Sequence, residues 1–339
     1  MGGTTARPGF EGQPIDLGQA DDVHTYTVRV QSAPTGPGES GPYNITFGER
    51  NNARFNWGIF STFIDQKLDS AVQSDAVIPG CEPIATTSTG QQSLPWECWN
   101  LVPRKLFLWT PSLWFRSLLS LSGGYDLRIE FELAGRIGDV ANTQNSETLG
   151  NITKDFMSFG GALELAFDSG PIQTGLDAGF ATGDTSEFLG YLDGQNIVVA
   201  DDAQFASTMN VATNDEVSSF WFDRNYRFDL ILFRQIIGGV TNAVYIKPWV
   251  GGVFMDTGAL KIDGRLDVLY AAPTNPAGTP GGGDSYGVEI DAHVGLTVEP
   301  GVSFQLSGGV LFPMGALGDS EGNVPGPVYT MRGLLTFSL

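Results

Sequence analysis

Asp291 and His293 stand two positions apart in a segment where polar and apolar residues alternate. In an extended strand this spacing puts both side chains on one face, where a carboxylate beside an imidazole can serve as a general base. No single serine among the many in the chain stands out as the nucleophile for this pair. We therefore expect a hydrogen-bonded histidine in a polar interior and predict that the protein is not an enzyme.

Charged residues elsewhere follow the same alternation. Between Tyr125 and Ile137 the charged side chains fall on one face and large apolar side chains on the other. In the lumen of a barrel, opposed charges create a transverse field that orients polar solutes and selects ions. The alternative is a network of salt bridges that closes a narrow lumen. The pore-lining candidates are Arg128, Glu130, Glu132, Arg136, Glu164, Asp177, Lys261, Asp263, Arg265, Asp267, Glu289, Asp291, His293 and Arg332.

The alternation recurs over lengths that suit tilted membrane strands. Strands are predicted at 23–31, 43–50, 54–66, 104–119, 124–138, 152–168, 172–183, 226–237, 242–256, 259–272, 284–298, 302–313 and 328–339. This number is odd, whereas a closed bacterial barrel has an even count, so one more strand is expected within 184–225. We predict about fourteen strands, with twelve or sixteen as alternatives.

Short turns alternate with long, acidic or Gly/Pro-rich connections, as in outer-membrane barrels. The predicted fold is all-β, a closed antiparallel transmembrane β-barrel. Residues 1–22 are expected to form a flexible N-terminal segment. Residues 23–339 are expected to form a single barrel domain with long loops at 67–103 and 184–225.

A soluble, secreted β-sandwich that binds carbohydrate would also alternate, but two features favour the membrane. The predicted strands exceed the length of about five or six residues that is usual in soluble sheets. Aromatic residues gather at strand ends, as an interfacial girdle requires. These residues are Tyr125, Tyr270, Tyr286, Tyr329 and Phe337. We predict a bacterial outer-membrane protein that contacts lipid.

The chain is acidic, with 18 Lys and Arg against 38 Asp and Glu and a formal net charge of -20. Such a surface repels phosphates, so a nucleic-acid partner is not expected. The same balance fits a lumen that prefers cations, and it also fits solvated loops. Ions or small hydrophilic solutes are the expected partners, and barrels of this kind can form homo-oligomers.

Cys81 and Cys98 are the only cysteines of the chain and lie in one Gly/Thr/Ser/Pro-rich stretch. A pair within one loop suggests a disulfide in an oxidising compartment, and two free thiols are the alternative. Neither a metal site nor a cofactor is predicted.

Several blocks of sequence carry a resemblance to known barrels. These are Phe55-Asn56-Trp57-Gly58, the run from Gly175 to Asp184, and the run from Ile231 to Ile236 followed by Thr241-Asn242-Ala243. Across most of residues 40–339 the chain resembles an uncharacterised family of myxobacterial-type outer-membrane β-barrels, and more distantly alginate-export-type porins. The resemblance implies a barrel in the outer membrane and leaves the cargo open.

The predicted function is that of an outer-membrane, porin-like channel. Ions or small hydrophilic solutes would pass through it passively, with a mild preference for cations. The alternative is a plugged structural or adhesive barrel that acts through its extracellular loops.

Overall fold

The computed structural model describes residues 23–32, 54–71, 85–86, 92–93, 100–141, 153–184, 216–223, 225–298, 301–319 and 321–337. The predicted N-terminal segment, the predicted strand at 43–50, Cys81 and Cys98 lie outside these residues.

The described part of the chain is dominated by one antiparallel sheet. Its long strands, in spatial order, are β1 Val23–Gln31, β2 Arg54–Ala71, β5 Asn100–Leu121, β6 Tyr125–Val140, β7 Lys154–Asp168, β8 Ile172–Ala181, β10 Ala243–Asp256, β11 Leu260–Ala272, β12 Gly287–Val298, β13 Val302–Pro313 and β14 Val328–Phe337. The short strand β9, Glu216–Val217, pairs in parallel with β7 and brings the sheet to 12 strands. Ala85–Thr86 (β3) and Gln92–Ser93 (β4) form a separate two-stranded sheet.

The all-β antiparallel class is confirmed, whereas the number of strands differs from the prediction. The described sheet has 12 strands instead of about fourteen, and twelve was the lower alternative. The eleven long strands are each antiparallel to the next, so β1 and β14 run in the same direction. The described residues contain no pairing between β1 and β14, and closure into a barrel is therefore not observed.

The strand predicted over 226–237 is wrong. Leu232–Ile237 forms a π-helix that ends at Gly238, whose φ of 88° is left-handed. The apolar residues of this stretch follow one another without alternation, a pattern that does not distinguish a strand from a buried helix. Its backbone amides bond to carboxylates and to the helix itself, and no neighbouring strand is needed to satisfy them.

Most connections at one end of the sheet are shorter than those at the other. The exception is the connection 32–53 between β1 and β2, which lies at the end with the short turns. At one end, turns of three residues join β5 to β6, β7 to β8, β10 to β11 and β12 to β13. Two of these turns are alike: Asp168 accepts the amide N–H of Gly170, and Asp256 accepts that of Gly258. Both glycines have positive φ, which a side chain would disfavour. At the other end the connections are longer, and residues 182–242 between β8 and β10 form the longest with described residues.

Part of that longest connection lies against one face of the sheet. We call residues 218–223 and 225–242 the inner segment. It supplies about half of the buried apolar core, and the strands β8, β10, β11 and β13 with their loops supply the rest. The core residues of the inner segment are Phe220, Leu230, Ile231, Leu232, Phe233, Ile237 and Val240. Those of the sheet and its loops are Ala181, Ala243, Tyr245, Leu269, Ala271, Tyr286, Leu311 and Ala316.

Candidate functional site: the polar face of the sheet

The pairing register places the predicted pore-lining residues on a single face of the sheet, which we call the polar face. Side chains of directly paired residues lie on the same face, so the register can be followed from strand to strand. One row crosses five strands through the pairs Arg116–Glu130, Glu130–Glu164, Glu164–Asp177 and Asp177–Lys247. A second row runs from Arg265 through His293 and Ser307 to Arg332.

The opposite face exposes large apolar side chains, and we call it the apolar face. On β12, Ile290 and Val294 are 37% and 48% exposed, whereas Glu289 and Asp291 on the polar face are almost completely buried. The same inversion is seen on β10, where Val244 is exposed and Lys247 is buried. An ordinary soluble sheet with one solvated face has the reverse arrangement.

Arg116 and Glu130 form a bidentate ion pair at one end of the first row. The guanidinium donates from Nε and Nη2 to the two carboxylate oxygens, both at 2.9 Å. Trp114 donates its indole N–H to the same carboxylate at 2.8 Å. Beside this pair, Arg128 contacts both Glu130 and Glu164, with its Nη2 3.1 Å from Glu164 Oε2. The cluster balances two arginines against two carboxylates.

Lys247 is the centre of a second cluster. Its Nζ lies 3.1 Å from Asp177 Oδ2 and 3.4 Å from Asp267 Oδ1, and it donates to the carbonyl of Phe228. Arg265 donates from Nε and Nη2 to Asp267 Oδ1 as well. A buried lysine requires such partners, because an isolated ammonium in a dry interior is very costly. The cluster joins β8, β10, β11 and the inner segment.

His293 is hydrogen-bonded, as predicted from the sequence. Its Nδ1 lies 2.9 Å from Ser307 Oγ, and its Nε2 lies 3.5 Å from Asp267 Oδ2. This Asp–His–Ser order resembles a hydrolytic triad, but Asp267 Oδ2 has no hydrogen-bond partner and Oδ1 is bound by Arg265. The backbone amides around Ser307 belong to the sheet, so no oxyanion hole is apparent.

The sequence also contains the pattern Gly-x-Ser-x-Gly at 283–287 and at 318–322. At the first of these, Ser285 contacts the carbonyl of Ala271 and the sulfur of Met314, and the chain continues into β12. A nucleophile elbow would instead lead from a strand into a helix. Ser320 lies outside the described residues.

Glu289 and Asp291, which the sequence placed in the lumen, are buried beneath the inner segment. Glu289 accepts three backbone N–H bonds: from Leu230 and Ile231 at Oε1 and from Leu232 at Oε2, at 2.8 to 2.9 Å. These amides open the π-helix, where a carboxylate is favoured by the unpaired N–H groups. Burial and the charge of Glu289 raise the pKa of Asp229, on the inner segment, to about 7.

The other predicted residues are not part of these clusters. Arg136 lies over the ring of Phe220, 5.4 Å from its centroid. Glu132 is exposed beside Glu130 on β6. Lys261, near the start of β11, and Arg332, in the middle of β14, are exposed, and Asp263 is half-buried on β11.

Three charged residues of the site were not predicted from the sequence, and one aromatic residue was predicted on the wrong face of the sheet. Lys247 could have been found, because Tyr245, Lys247 and Trp249 alternate with apolar residues. Arg116 is hidden among large apolar neighbours, and Asp229 belongs to the stretch that was predicted as a strand. Tyr286, predicted in the exposed girdle, is fully buried and donates its hydroxyl to the carbonyl of Asn242. Gly287, with φ of 140°, is the first residue of β12 and directly follows Tyr286.

Among the described residues, no group of His, Cys, Asp or Glu side chains has a geometry that could hold a metal ion. Within the same part of the chain, no helix is long and apolar enough to cross a membrane, a finding that concerns helices and leaves strands aside.

No protein family model and no curated protein matches the chain. Among solved structures, it is similar to the crystal structure of the beta domain of the Bordetella autotransporter Brka, at 10% identity. The similarity covers 84% of this chain and 92% of that chain, with a TM-score of 0.25. This TM-score is too low to bear on fold or function. The comparisons give no support to the resemblance to myxobacterial-type barrels or alginate-export-type porins.

Proposed function

We propose that the protein is a transmembrane β-barrel of the bacterial outer membrane and a channel for ions or small hydrophilic solutes, narrowed by the inner segment. The observation that carries the proposal is the inversion of the two faces. Charged side chains of consecutive strands lie on the concealed face, and apolar side chains lie on the exposed face. Lipid is the solvent that stabilises such an arrangement.

Aromatic residues at both ends of the apolar face support the membrane. Those near the short turns are Phe55, Trp57, Tyr125, Phe167, Phe254, Phe304 and Phe337. Those near the longer connections are Phe107, Phe180, Tyr270, Phe312 and Tyr329. Phe304 and Phe312 lie eight residues apart on β13, which corresponds to about 27 Å along the strand and about 20 Å across a membrane at the usual tilt.

The contacts of the inner segment support a curved sheet. Phe220 lies under Arg136 of β6, the carbonyl of Phe228 binds Lys247 of β10, and Gln235 reaches Thr330 of β14 at 3.4 Å. A flat sheet from β6 to β14 would extend over about 34 Å, at about 4.8 Å for each neighbouring pair. One short segment contacts strands this far apart more easily if the sheet curves around it.

The polar face is covered unevenly, which favours a narrowed channel over a filled one. Under the inner segment, Lys247, Asp267, Glu289 and Asp291 are each at most 2% exposed. On β6 and β7, the side chains of Arg128 and Glu164 remain 26% and 31% exposed. We propose that solutes pass along this second region. We expect this region to favour cations over anions, because Glu132 adds a carboxylate beside the balanced cluster of arginines and glutamates.

Conductance in a planar bilayer tests the proposal. The refolded protein in detergent should give discrete steps, with a reversal potential that indicates a preference for cations. Replacing Glu132 and Glu164 by Gln should reduce this preference. Glu321→Gln, in the exposed loop before β14, is the matched control and should not alter it. A protein that stays folded and soluble without detergent would contradict the membrane proposal.

The second candidate is a plugged structural or adhesive barrel that acts through its extracellular loops. The seat of the inner segment on Glu289 favours it, since three buried hydrogen bonds hold a plug firmly. A folded protein that needs detergent but never conducts would support this candidate over the channel.

A further inference from the structure

Three buried carboxyl groups meet where the inner segment rests on β12. Glu289 and Asp291 extend from β12, and Asp229 precedes the π-helix. Their exposed fractions are only 1%, 2% and 3%. Carboxylates buried this close together repel one another and lose their hydration, and a proton bound to one of them relieves both costs.

Two oxygen atoms of this cluster are buried without a hydrogen-bond partner, namely Asp229 Oδ1 and Asp291 Oδ1. Asp291 Oδ1 points into the junction between β13 and the inner segment, where it lies against Gly309 and beside Leu230. An unpaired carboxylate oxygen in such a place is costly, whereas a protonated carboxyl is far less so.

The cationic side chains near the cluster already bind other carboxylates. Lys247 of β10 binds Asp177 and Asp267, and Arg265 of β11 binds Asp267 as well. Asp267 of β11 is the register partner of Asp291 and adds a further carboxylate beside the cluster. His293 of β12 contacts Asp267, and Arg234 lies in the π-helix of the inner segment. On β13 the facing residues Gly309 and Leu311 carry no charge.

We propose that the Asp229–Glu289–Asp291 cluster is a proton-binding latch: a bound proton holds the inner segment on β12, and its release as pH rises allows the segment to leave. We assign the proton to the cluster as a whole, because a proton on one buried carboxyl changes the charge that the neighbouring carboxyls meet. Glu289 remains the acceptor of the three backbone N–H bonds, and protonation of its neighbours removes the repulsion that would otherwise act on it.

The direction of the pH effect follows from Asp229. When the inner segment rests on β12, which we call seating, the pKa of Asp229 is about 7, whereas its ordinary value is 3.8. At a pH between these two values, the protein therefore binds a proton when the segment becomes seated. Seating is therefore most favourable at acid pH. It weakens by about tenfold for each pH unit as the pH rises through this window, and changes little above it.

Thiol labelling measures seating without relying on conductance. In a background with Cys81→Ser and Cys98→Ser, Leu230→Cys puts a thiol at the buried contact with β12. Gln235→Cys, at an exposed site of the same segment, corrects for the pH dependence of thiol chemistry. The ratio of the two rates with a charged, water-soluble thiosulfonate should increase by about tenfold for each pH unit between pH 5 and pH 7.

Replacing both Asp229 and Asp291 by Asn imitates the protonated cluster and should keep the ratio low at every pH. Glu321→Gln is the control and should retain the full pH dependence. A ratio that does not change with pH in the parent protein overturns the latch, as does a double variant with the parent's slope. A ratio that follows the concentration of added Na⁺ or Ca²⁺ at constant pH would show that a metal cation, not a proton, is bound.

Conductance supplies a second measurement, and only this one rests on the proposed channel. It should increase as pH rises through the same window and become independent of pH in the double variant. If labelling follows pH while no current is seen at any pH, the latch stands and the channel proposal fails.

Discussion

Arg116 and Glu130, on neighbouring strands, face each other across the polar side of the sheet with both donors of one matched to both oxygens of the other. Their side chains are only 10% and 16% exposed, so water screens the pair weakly. The same carboxylate holds the indole of Trp114. This pair is the first link of the charged row that crosses β5 to β10.

Arg116→Met should lower the free energy of unfolding by about 3 kcal/mol, because it leaves a largely buried carboxylate without its partner. The double variant Arg116→Met with Glu130→Gln should lose less than the two single changes together. Urea titration in detergent, followed by tryptophan fluorescence, measures the difference. Strict additivity of the single changes would show that the pair does not interact in the folded protein.

Gly160→Ala should displace the beginning of the inner segment. A Cβ at this position would lie against the ring of Phe220, well inside van der Waals contact, and 2.9 Å from Phe222. Overpacking of this kind costs about 1 to 3 kcal/mol. With Ser219→Cys as a reporter, the thiol should be protected in the parent and reactive after Gly160→Ala.

Gly308→Ala is the control for this change, since the nearest atom to its Cβ is the carbonyl oxygen of Thr330 at 3.6 Å. It should leave the Ser219→Cys thiol protected. Equal reactivity in the two alanine variants would indicate that the contact with Phe220 does not hold the segment.

Val294→Lys should prevent stable insertion into lipid. Val294 is exposed in the middle of β12 on the apolar face, and a lysine near the bilayer centre costs about 2 to 4 kcal/mol. Val298→Lys, at the end of the same strand, should cost about 0 to 1 kcal/mol. The measurement is the folded fraction in lipid vesicles, determined by heat-modifiable mobility on gels. Equal tolerance of both lysines would argue against a lipid-facing surface.

Asn242 should be more sensitive to alanine than to glycine. Its φ is 44°, its side chain accepts from Thr274 Oγ1 and Asn275 N, and its Nδ2 donates to Asn275 O. Both substitutions lose these bonds, but only alanine adds left-handed strain of about 1 kcal/mol. Urea midpoints should therefore fall in the order parent, Asn242→Gly, Asn242→Ala. The reverse order of the two variants would show that backbone conformation is not what selects asparagine.

Alternation identified most of the long strands because the side-chain period of a strand is two, whatever the strand packs against. Where a short turn joins two strands, the register also follows from the sequence. The turn at 122–124 sets Arg116 opposite Glu130, and the turn at 169–171 sets Glu164 opposite Asp177. Between β6 and β7, or β8 and β10, the connection is long, and no local signal places Glu130 beside Glu164 or Asp177 beside Lys247.

The inner segment was missed for a different reason. A run such as Leu230 to Phe233 is equally compatible with a strand in the sheet and a helix buried beneath it. The deciding residue is Glu289, which lies 57 to 59 residues later in the chain. Its carboxylate accepts the backbone N–H groups at the start of the run, which in a sheet would bond to a neighbouring strand. The local sequence does not indicate that these backbone N–H groups bond to such a distant side chain.

The distance along the chain between the inner segment and its seat dictates an order of assembly. The segment precedes β10, yet its partners are Glu289 on β12 and Thr330 on β14, the latter 95 residues after Gln235. It cannot settle until those later strands are in place, and contacts so distant in sequence form slowly. We therefore expect the inner segment to reach its final position only after β12 and β14 have joined the sheet, so that its contacts with them are among the last to form.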